Sequence, residues 1–201
     1  MNSELFFIYD SHCPWSYATA ALVSEINNAY PEMPMHLWHV AHYDGSDSPG
    51  AEQADMVSKQ SAANFGEDYM QYANTGKDAS MSANFMAWVA NKQPEQAVKV
   101  LAELQKQHFV ENNPLLDKDD FDSITSQFKL SPPGKVFKRD LSKDAEYALA
   151  EIEEMQEIIQ TQAFPALMLA VNDRLVLLNH NLYLTKPKAI VEAVELEMKQ
   201  G

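Results

Sequence analysis

The order of elements in the first 40 residues restricts the fold more than any other feature of the sequence. Leu5–Tyr9 is apolar at every position (LFFIY), which predicts a short, fully buried strand. An apolar residue then recurs at every fourth position, in Ala18, Leu22 and Ile26, as in an amphipathic helix. Met35–Val40 (MHLWHV) is a second strand candidate. A helix that joins two strands of one sheet makes a crossover, so the pattern predicts a βαβ unit with parallel strands.

The middle of the chain has a different pattern from its two ends. From about residue 50 to residue 161, apolar side chains repeat at spacings of three and four, which predicts a series of helices. Residues 166–171 and 174–178 are strand-like, and the pair Asn172-Asp173 between them predicts a hairpin turn.

The last residues predict one more helix and complete an α/β pattern. Thr185 is expected to cap this helix and Pro187 to lie in its first turn. No stretch of the chain has the composition of a long linker. We therefore predict one discontinuous domain, residues 1–49 and 162–201, interrupted by an all-helical insertion at residues 50–161.

Charge and cysteine content exclude several classes of function. A formal net charge of −14 argues against nucleic acid and anionic membrane surfaces as partners. No Lys or Arg precedes Lys59, so a secretory signal is not expected. No apolar run reaches the roughly 18 residues that a membrane span needs, and we expect a cytoplasmic protein. The single cysteine, Cys13, excludes an intramolecular disulfide and a multi-cysteine metal site.

Cys13 lies where the first strand candidate ends and the first helix candidate begins, and Pro14 suits the first helical turn. A thiol at a helix N-terminus faces free backbone N–H groups and the positive end of the helix dipole, and both favour the thiolate. His12 would add positive charge if protonated, whereas the acidic residues of the N-terminal third oppose ionisation. We expect moderate activation of the thiol. The alternative is that Cys13 is a small, buried apolar residue.

A proline follows the helical block, immediately before the third strand candidate. Within Ala163-Phe164-Pro165, the local sequence favours a trans proline that ends the preceding helix. A cis bond is the alternative, because proline is permitted at the start of a strand and a cis bond there would be a constrained, functional element.

Two short motifs carry a resemblance to a known family. The run Cys13-Pro14-Trp15-Ser16-Tyr17 resembles the Cys-Pro-Trp-Cys-Tyr motif of predicted protein-disulfide isomerases in the DsbA-like branch of the thioredoxin superfamily. The run Phe164-Pro165-Ala166-Leu167 resembles the cis-proline segment of the same proteins. The order of elements fits as well, and the resemblance implies a thioredoxin-like α/β fold with a large all-helical insertion.

The resemblance also implies roles for individual residues. Cys13 would be the nucleophile, and Pro165 would be a cis proline packed beside it. The backbone of Phe164 would pair with a bound peptide or with glutathione. The residues expected to contact the same substrate are His12, Pro14 and Trp15.

Ser16 occupies the position of the second, resolving cysteine of that family. Without this cysteine the protein cannot close an internal disulfide, so an external thiol would have to release a mixed disulfide at Cys13. Glutathione is a candidate co-substrate, and no bound cofactor is implied. Ser16 would instead donate a hydrogen bond to the Cys13 sulfur and favour the thiolate. The resemblance thus implies a monothiol oxidoreductase or disulfide isomerase that acts on protein disulfides or glutathione.

Two other functions remain open. The Cys13 run also resembles the Ser-Pro-aromatic-Ser pattern of kappa-class glutathione transferases and 2-hydroxychromene-2-carboxylate isomerases, which bind glutathione. A non-catalytic binding module on the same scaffold is the third alternative. We favour disulfide exchange because cysteine is a stronger nucleophile than serine. The sequence does not decide between a monomer and a homodimer.

Two clusters of polar residues are weaker candidates for a site. His36, His39 and His42 recur at intervals of three, but a strand places His36 and His39 on opposite faces, so we expect no metal site. A basic cluster would either receive a carboxylate of glutathione or form a solvated surface patch, and we favour the patch. Its members are Lys135, Lys138, Arg139 and Lys143.

Overall fold

The computed structural model describes residues 2–200, and its centre is a four-stranded sheet with the strand order β2-β1-β3-β4. Strand β1 pairs with β2 in parallel and with β3 antiparallel, and β4 extends the sheet antiparallel to β3. The predicted βαβ unit and the predicted hairpin are both confirmed. The strands are β1 (Ser3–Tyr9), β2 (Met35–His39), β3 (Ala166–Val171) and β4 (Arg174–Leu177).

The central position of β1 explains its unbroken apolar sequence. A strand with a neighbour on each side and helices on both faces has no solvated face, so both sets of alternating side chains must be apolar. Phe7 and Tyr9 pack into the main core on one face of the sheet, whereas Ile8 packs on the other face, and all three are fully buried.

One helix follows β1, a series of helices fills the stretch between β2 and β3, and a last helix follows β4. Helix α1 (Pro14–Ala29) buries the predicted stripe of Ala18, Leu22 and Ile26. The remaining helices are α2 (Gly50–Gln60), α3 (Glu67–Tyr72), α4 (Ser80–Lys92), α5 (Ala97–Phe109), α6 (Asp122–Gln127), α7 (Lys143–Ile159) and α8 (Ile190–Gln200). Within residues 2–200, no helix is both long and apolar enough to cross a membrane.

Helices cover both faces of the sheet. Helices α1, α4, α5 and α8 contribute to the main core, which includes Leu22, Phe85, Leu101 and Val194. Helix α7 covers the opposite face, where Ile152 packs with Ile8 and Met168. The division into an interrupted domain and an insertion at residues 50–161 stays a prediction.

The start of the last helix differs from the prediction. Thr185 is not its cap: Lys186 caps a short 3₁₀ turn, Pro187–Ala189, which leads directly into α8. The Lys186 N–H donates to the Tyr183 carbonyl at 2.9 Å, so the chain turns before it reaches the helix. Pro187 does lie in the first turn, where its missing N–H costs nothing.

Candidate active site

Cys13 is the N-cap residue of α1, in an extended conformation (φ −87°, ψ 122°). Its carbonyl accepts the Tyr17 N–H at 3.0 Å, and its own N–H donates to the Asp10 carbonyl at 3.1 Å. Pro14 occupies the first helical position, as predicted. The thiol therefore lies beside the free N–H groups of the first helical turn.

The thiol of Cys13 lies under a cover of side chains from distant parts of the chain. Only 4% of Cys13 is exposed, and it packs with Tyr43 and Ala79, with Trp15 and Phe164 at the border of the cluster. Two of the residues that the sequence analysis expected near the thiol, Trp15 and Phe164, are thus brought to it.

The peptide bond between Phe164 and Pro165 is cis. The local preference for a trans proline that ends the helix is therefore wrong. Helix α7 has already ended at Ile159, where Gln160 adopts the left-handed conformation that closes many helices. Its end does not require the proline.

The largest difference from the sequence-based expectations is the pKa of the Cys13 thiol, which was expected to be moderately lowered. Burial raises the pKa of the Cys13 thiol to about 11, since a thiolate loses more hydration than a thiol. The backbone N–H and hydroxyl of Ser16 lower this pKa by hydrogen bonding, the charge of Asp10 raises it, and the Trp15 N–H lowers it. The predicted opposition of favourable hydrogen bonds and unfavourable acidic charge is present, but burial outweighs both. The thiol is protonated at neutral pH in this conformation.

Ser16 is fully buried beside the thiol. Its Oγ accepts the Asp10 N–H at 3.2 Å, which leaves the hydroxyl proton free to point elsewhere. Through its hydroxyl and backbone N–H, Ser16 is the strongest influence that favours the thiolate of Cys13. Its place next to the sulfur fits the hydrogen-bonding role that the sequence analysis gave it.

His12 does not supply the positive charge that was expected beside the thiol. It is 0% exposed, its Nδ1 lies 2.9 Å from Ser11 Oγ, and its ring lies against that of His108 with centroids 3.9 Å apart and planes tilted by 37°. Burial holds the pKa of His12 well below its usual value, and His108 and His39 lower it further by repulsion. His12 is therefore neutral, and in this conformation it has no surface with which to contact a substrate.

Asp10 organises the thiol loop, a role that the sequence analysis missed. One carboxylate oxygen accepts the His12 N–H at 2.8 Å. The other accepts the N–H groups of His42 at 2.8 Å and Tyr43 at 3.3 Å. The carboxylate thus ties the loop that carries Cys13 to the segment after β2. The sequence signal for this role is a buried strand that ends directly in an acidic residue.

The three histidines of the MHLWHVAH run lie in three different environments. His36 Nε2 pairs with Glu4 at 2.9 Å, His39 Nε2 lies 2.7 Å from Ser11 Oγ, and the His42 ring lies 5.2 Å from that of Phe164. Across residues 2–200, no three potential ligands come together as a metal site. In the basic cluster, Arg139 Nε lies 3.8 Å from Asp78 Oδ2, one residue from Ala79 in the thiol cover.

Comparison with known proteins finds solved structures with the same overall fold. No protein-family model matches the chain, and no curated protein matches it by sequence. The cytosolic disulfide reductase DsbM from Pseudomonas aeruginosa is similar at a TM-score of 0.83 and 17% identity, over 98% of this chain and 100% of that one. A structure of DsbM with GSH gives a TM-score of 0.80 at 17% identity, over 98% and 99% of the two chains.

A second solved protein supports the same architecture. A protein disulfide isomerase candidate from Nitrosomonas europaea is similar at a TM-score of 0.73 and 14% identity, over 100% of this chain and 98% of that one. Both matches span nearly the whole of each chain, so the helices between β2 and β3 belong to the shared architecture. The chain therefore has the thioredoxin-like fold in its DsbA-like form, as the two sequence motifs and the order of elements predicted.

Proposed function

We propose that the protein is a cytoplasmic thiol–disulfide oxidoreductase that acts through Cys13 alone. The observation that carries the proposal is the contact between two segments far apart in sequence: the N-cap thiol of α1 packs in one cluster with Phe164, the residue before the cis proline. DsbM, which has the same fold, is described as a cytosolic disulfide reductase and has a structure with GSH.

The proposed reaction has two exchange steps. In the first, Cys13 loses its proton and its sulfur attacks one sulfur of a substrate disulfide; that S–S bond breaks, and the leaving thiolate takes up a proton. In the second, the thiolate of an external thiol such as glutathione attacks the mixed disulfide and releases Cys13. The second step leaves the substrate sulfur in a disulfide with the external thiol, and a second external thiol would have to break that disulfide to complete a two-electron reduction, because the chain contains one cysteine.

The pKa of Cys13 sets the speed of the first step. Relative to an ordinary thiol, a pKa of about 11 lowers the thiolate fraction at pH 7 by two orders of magnitude or more. The greater nucleophilicity of a more basic thiolate recovers part of this loss. Together the two effects make exchange about 10- to 30-fold slower than for an unperturbed thiol. Removal of the side chains that cover Cys13 would lower its pKa and accelerate exchange.

Trapping the mixed disulfide tests the proposal. The reduced protein is incubated with glutathione disulfide at pH 8 and analysed by intact-mass and peptide mass spectrometry. We expect one glutathione adduct, at Cys13, which added glutathione removes. Cys13→Ser should form none, and Ser24→Ala, a substitution on the same helix away from the thiol, should behave as the wild type. A wild-type protein that forms no adduct with any small disulfide would refute the proposal.

One observation favours a second candidate, a glutathione-dependent transferase or isomerase of the kappa type. A thiol that stays protonated at neutral pH can donate a hydrogen bond to the thiolate of a bound glutathione. In that reaction the glutathione sulfur would be the nucleophile and Cys13 would only hold it. Thermal shift with glutathione separates the two candidates. Stabilisation that survives Cys13→Ser favours the transferase, and stabilisation that depends on Cys13 favours exchange.

A further inference from the structure

A depression of about 340 Å³ lies on the surface beside the thiol, between helix α7 and the segment that follows β2. Phe164 lines it and also packs at the border of the cluster around Cys13, so one aromatic side chain is common to both. His42 lines it too, and its ring lies 5.2 Å from that of Phe164 and 5.0 Å from that of Tyr43, which covers the thiol. The depression is therefore connected to Cys13 through side-chain contacts.

The inner wall of this depression is apolar. Ile152 of α7 is 3% exposed, and the half-buried side chains of Val40, Leu149 and Phe164 pack around the same small core. The wall is thus the open border of the core on the α7 face of the sheet, and its shape is fixed by that core. A side chain placed against it would remove apolar surface from water, which is favourable.

The rim of the depression carries acidic charge. Glu153 lines it, and Glu153 and Glu157 line a second depression that continues along α7. Among residues 2–200, no Lys or Arg lines either depression, and neither carboxylate lies within 4.0 Å of a Lys, Arg or His nitrogen. Both side chains are exposed, so their charges are open to a cationic ligand.

The position of these two acids on the helix also favours a cation. Glu153 and Glu157 lie in the last two turns of α7, which ends at Ile159, and like charges four residues apart on a helix repel each other. The C-terminal end of a helix carries partial negative charge, and the last turn of α7 contains no basic residue. A Lys or Arg side chain from a bound partner would offset both unfavourable interactions.

We infer, building on the thiol exchange proposed above, that this depression selects the substrate disulfide. It binds the polypeptide next to a substrate cysteine, with an apolar side chain against Ile152 and Phe164 and a Lys or Arg side chain beside Glu153. An extended chain advances about 3.3 to 3.6 Å per residue, so residues one to three positions from the cysteine would reach past the Phe164 side chain. The substrate class is a protein disulfide flanked by apolar and basic residues. Glutathione disulfide, which is small and anionic, lacks both features.

Exchange rates with a matched set of peptide disulfides test the inference. Each peptide holds its one cysteine in a mixed disulfide with thionitrobenzoate. When the Cys13 thiolate attacks the peptide sulfur, that S–S bond breaks and thionitrobenzoate leaves as a coloured thiolate. The peptides, with blocked termini, are Lys-Gly-Leu-Cys-Leu-Gly-Lys, its Glu-for-Lys version and its Gly-for-Leu version. Each rate at pH 8 is divided by the rate of 2-mercaptoethanol with the same peptide, which removes differences in intrinsic reactivity.

The wild type should exchange with the Lys- and Leu-containing peptide about 3- to 10-fold faster than with either other version. Glu153→Gln should reduce the preference over the Glu-for-Lys version by about twofold or more. The matched control is Glu154→Gln, which removes the same charge from the next exposed position, outside both depressions, and it should keep the preference. The mixed disulfide of glutathione with thionitrobenzoate should react more slowly than the Lys- and Leu-containing peptide. Equal rates for the three peptides, or a glutathione rate that equals or exceeds the highest of them, would overturn the inference.

The failure of this inference and the failure of the proposed function give different results. If Cys13 exchanges with all three peptides at the same rate, the depression does not select substrates and the proposed function stands. If Cys13 exchanges with no disulfide, the proposed function fails, and isothermal titration calorimetry with the S-methylated peptides, which cannot exchange, decides on the depression. Tighter binding of the Lys- and Leu-containing peptide that Glu153→Gln weakens would support it. Equal or undetectable binding of the three would overturn it.

Discussion

The rate of Cys13 alkylation should keep rising with pH beyond the pH at which the rate for an ordinary thiol levels off. Burial raises the pKa of this thiol to about 11, and only the thiolate reacts with iodoacetamide. Well below the pKa, the thiolate fraction increases about tenfold per pH unit, so the rate should rise roughly 1000-fold between pH 7 and pH 10. In the urea-unfolded protein the pKa returns to about 8.5, and the rate should level off above pH 9.

The assay measures pseudo-first-order alkylation by mass spectrometry at half-unit pH steps, with and without urea. Ser16→Ala removes a hydroxyl that lowers the pKa of Cys13, so its alkylation should be several-fold to about tenfold slower at every pH below 10. Ser24→Ala is the matched control, because Ser24 Oγ donates to the Ala20 carbonyl further along the same helix, and its rates should equal those of the wild type. A plateau below pH 9 in the folded wild type would show that burial does not control this thiol.

Three further predictions concern stability, each measured by urea unfolding. Buried His108 has a pKa lowered to about 4, so it contributes stability above the unfolded pKa of about 6.5 that is lost as the pH falls; from pH 7.5 to pH 5 its loss should be about 2 kcal/mol. His108→Phe should reduce the acid-induced loss of stability by about this amount, and an unchanged loss would contradict the assignment. Asp10→Asn should cost about 1 to 3 kcal/mol, since an amide NH₂ would face backbone N–H groups; an unaffected stability would mean that these bonds are dispensable. Leu22→Ala, in the fully buried stripe of α1, should cost about 2 to 5 kcal/mol, and exposed Leu196→Ala should cost far less.

The sequence was most informative where structure depends on local pattern. The apolar run of β1, the four-residue stripe of α1 and the hairpin at Asn172-Asp173 were all predicted, because strand alternation, helical periodicity and turn chemistry are short-range properties. The two short motifs, around Cys13 and around Pro165, together with the order of elements, were enough to predict the fold.

The chemistry of the site depended instead on contacts between distant segments. Cys13 has a raised pKa because Tyr43 and Ala79 cover it, and neither is near it in sequence. Local rules also could not decide the isomer of the bond before Pro165, because both isomers are compatible with a proline that begins a strand.

The carboxylate of Asp10 couples the motion of the loop that carries Cys13 to that of the segment after β2. It accepts N–H groups from His12, next to the thiol, and from His42 and Tyr43 in the segment that supplies part of the cover. The thiol loop and this part of its cover are thus joined through one group, and they should separate in a single opening event. In hydrogen exchange, the three amides should therefore share one opening free energy.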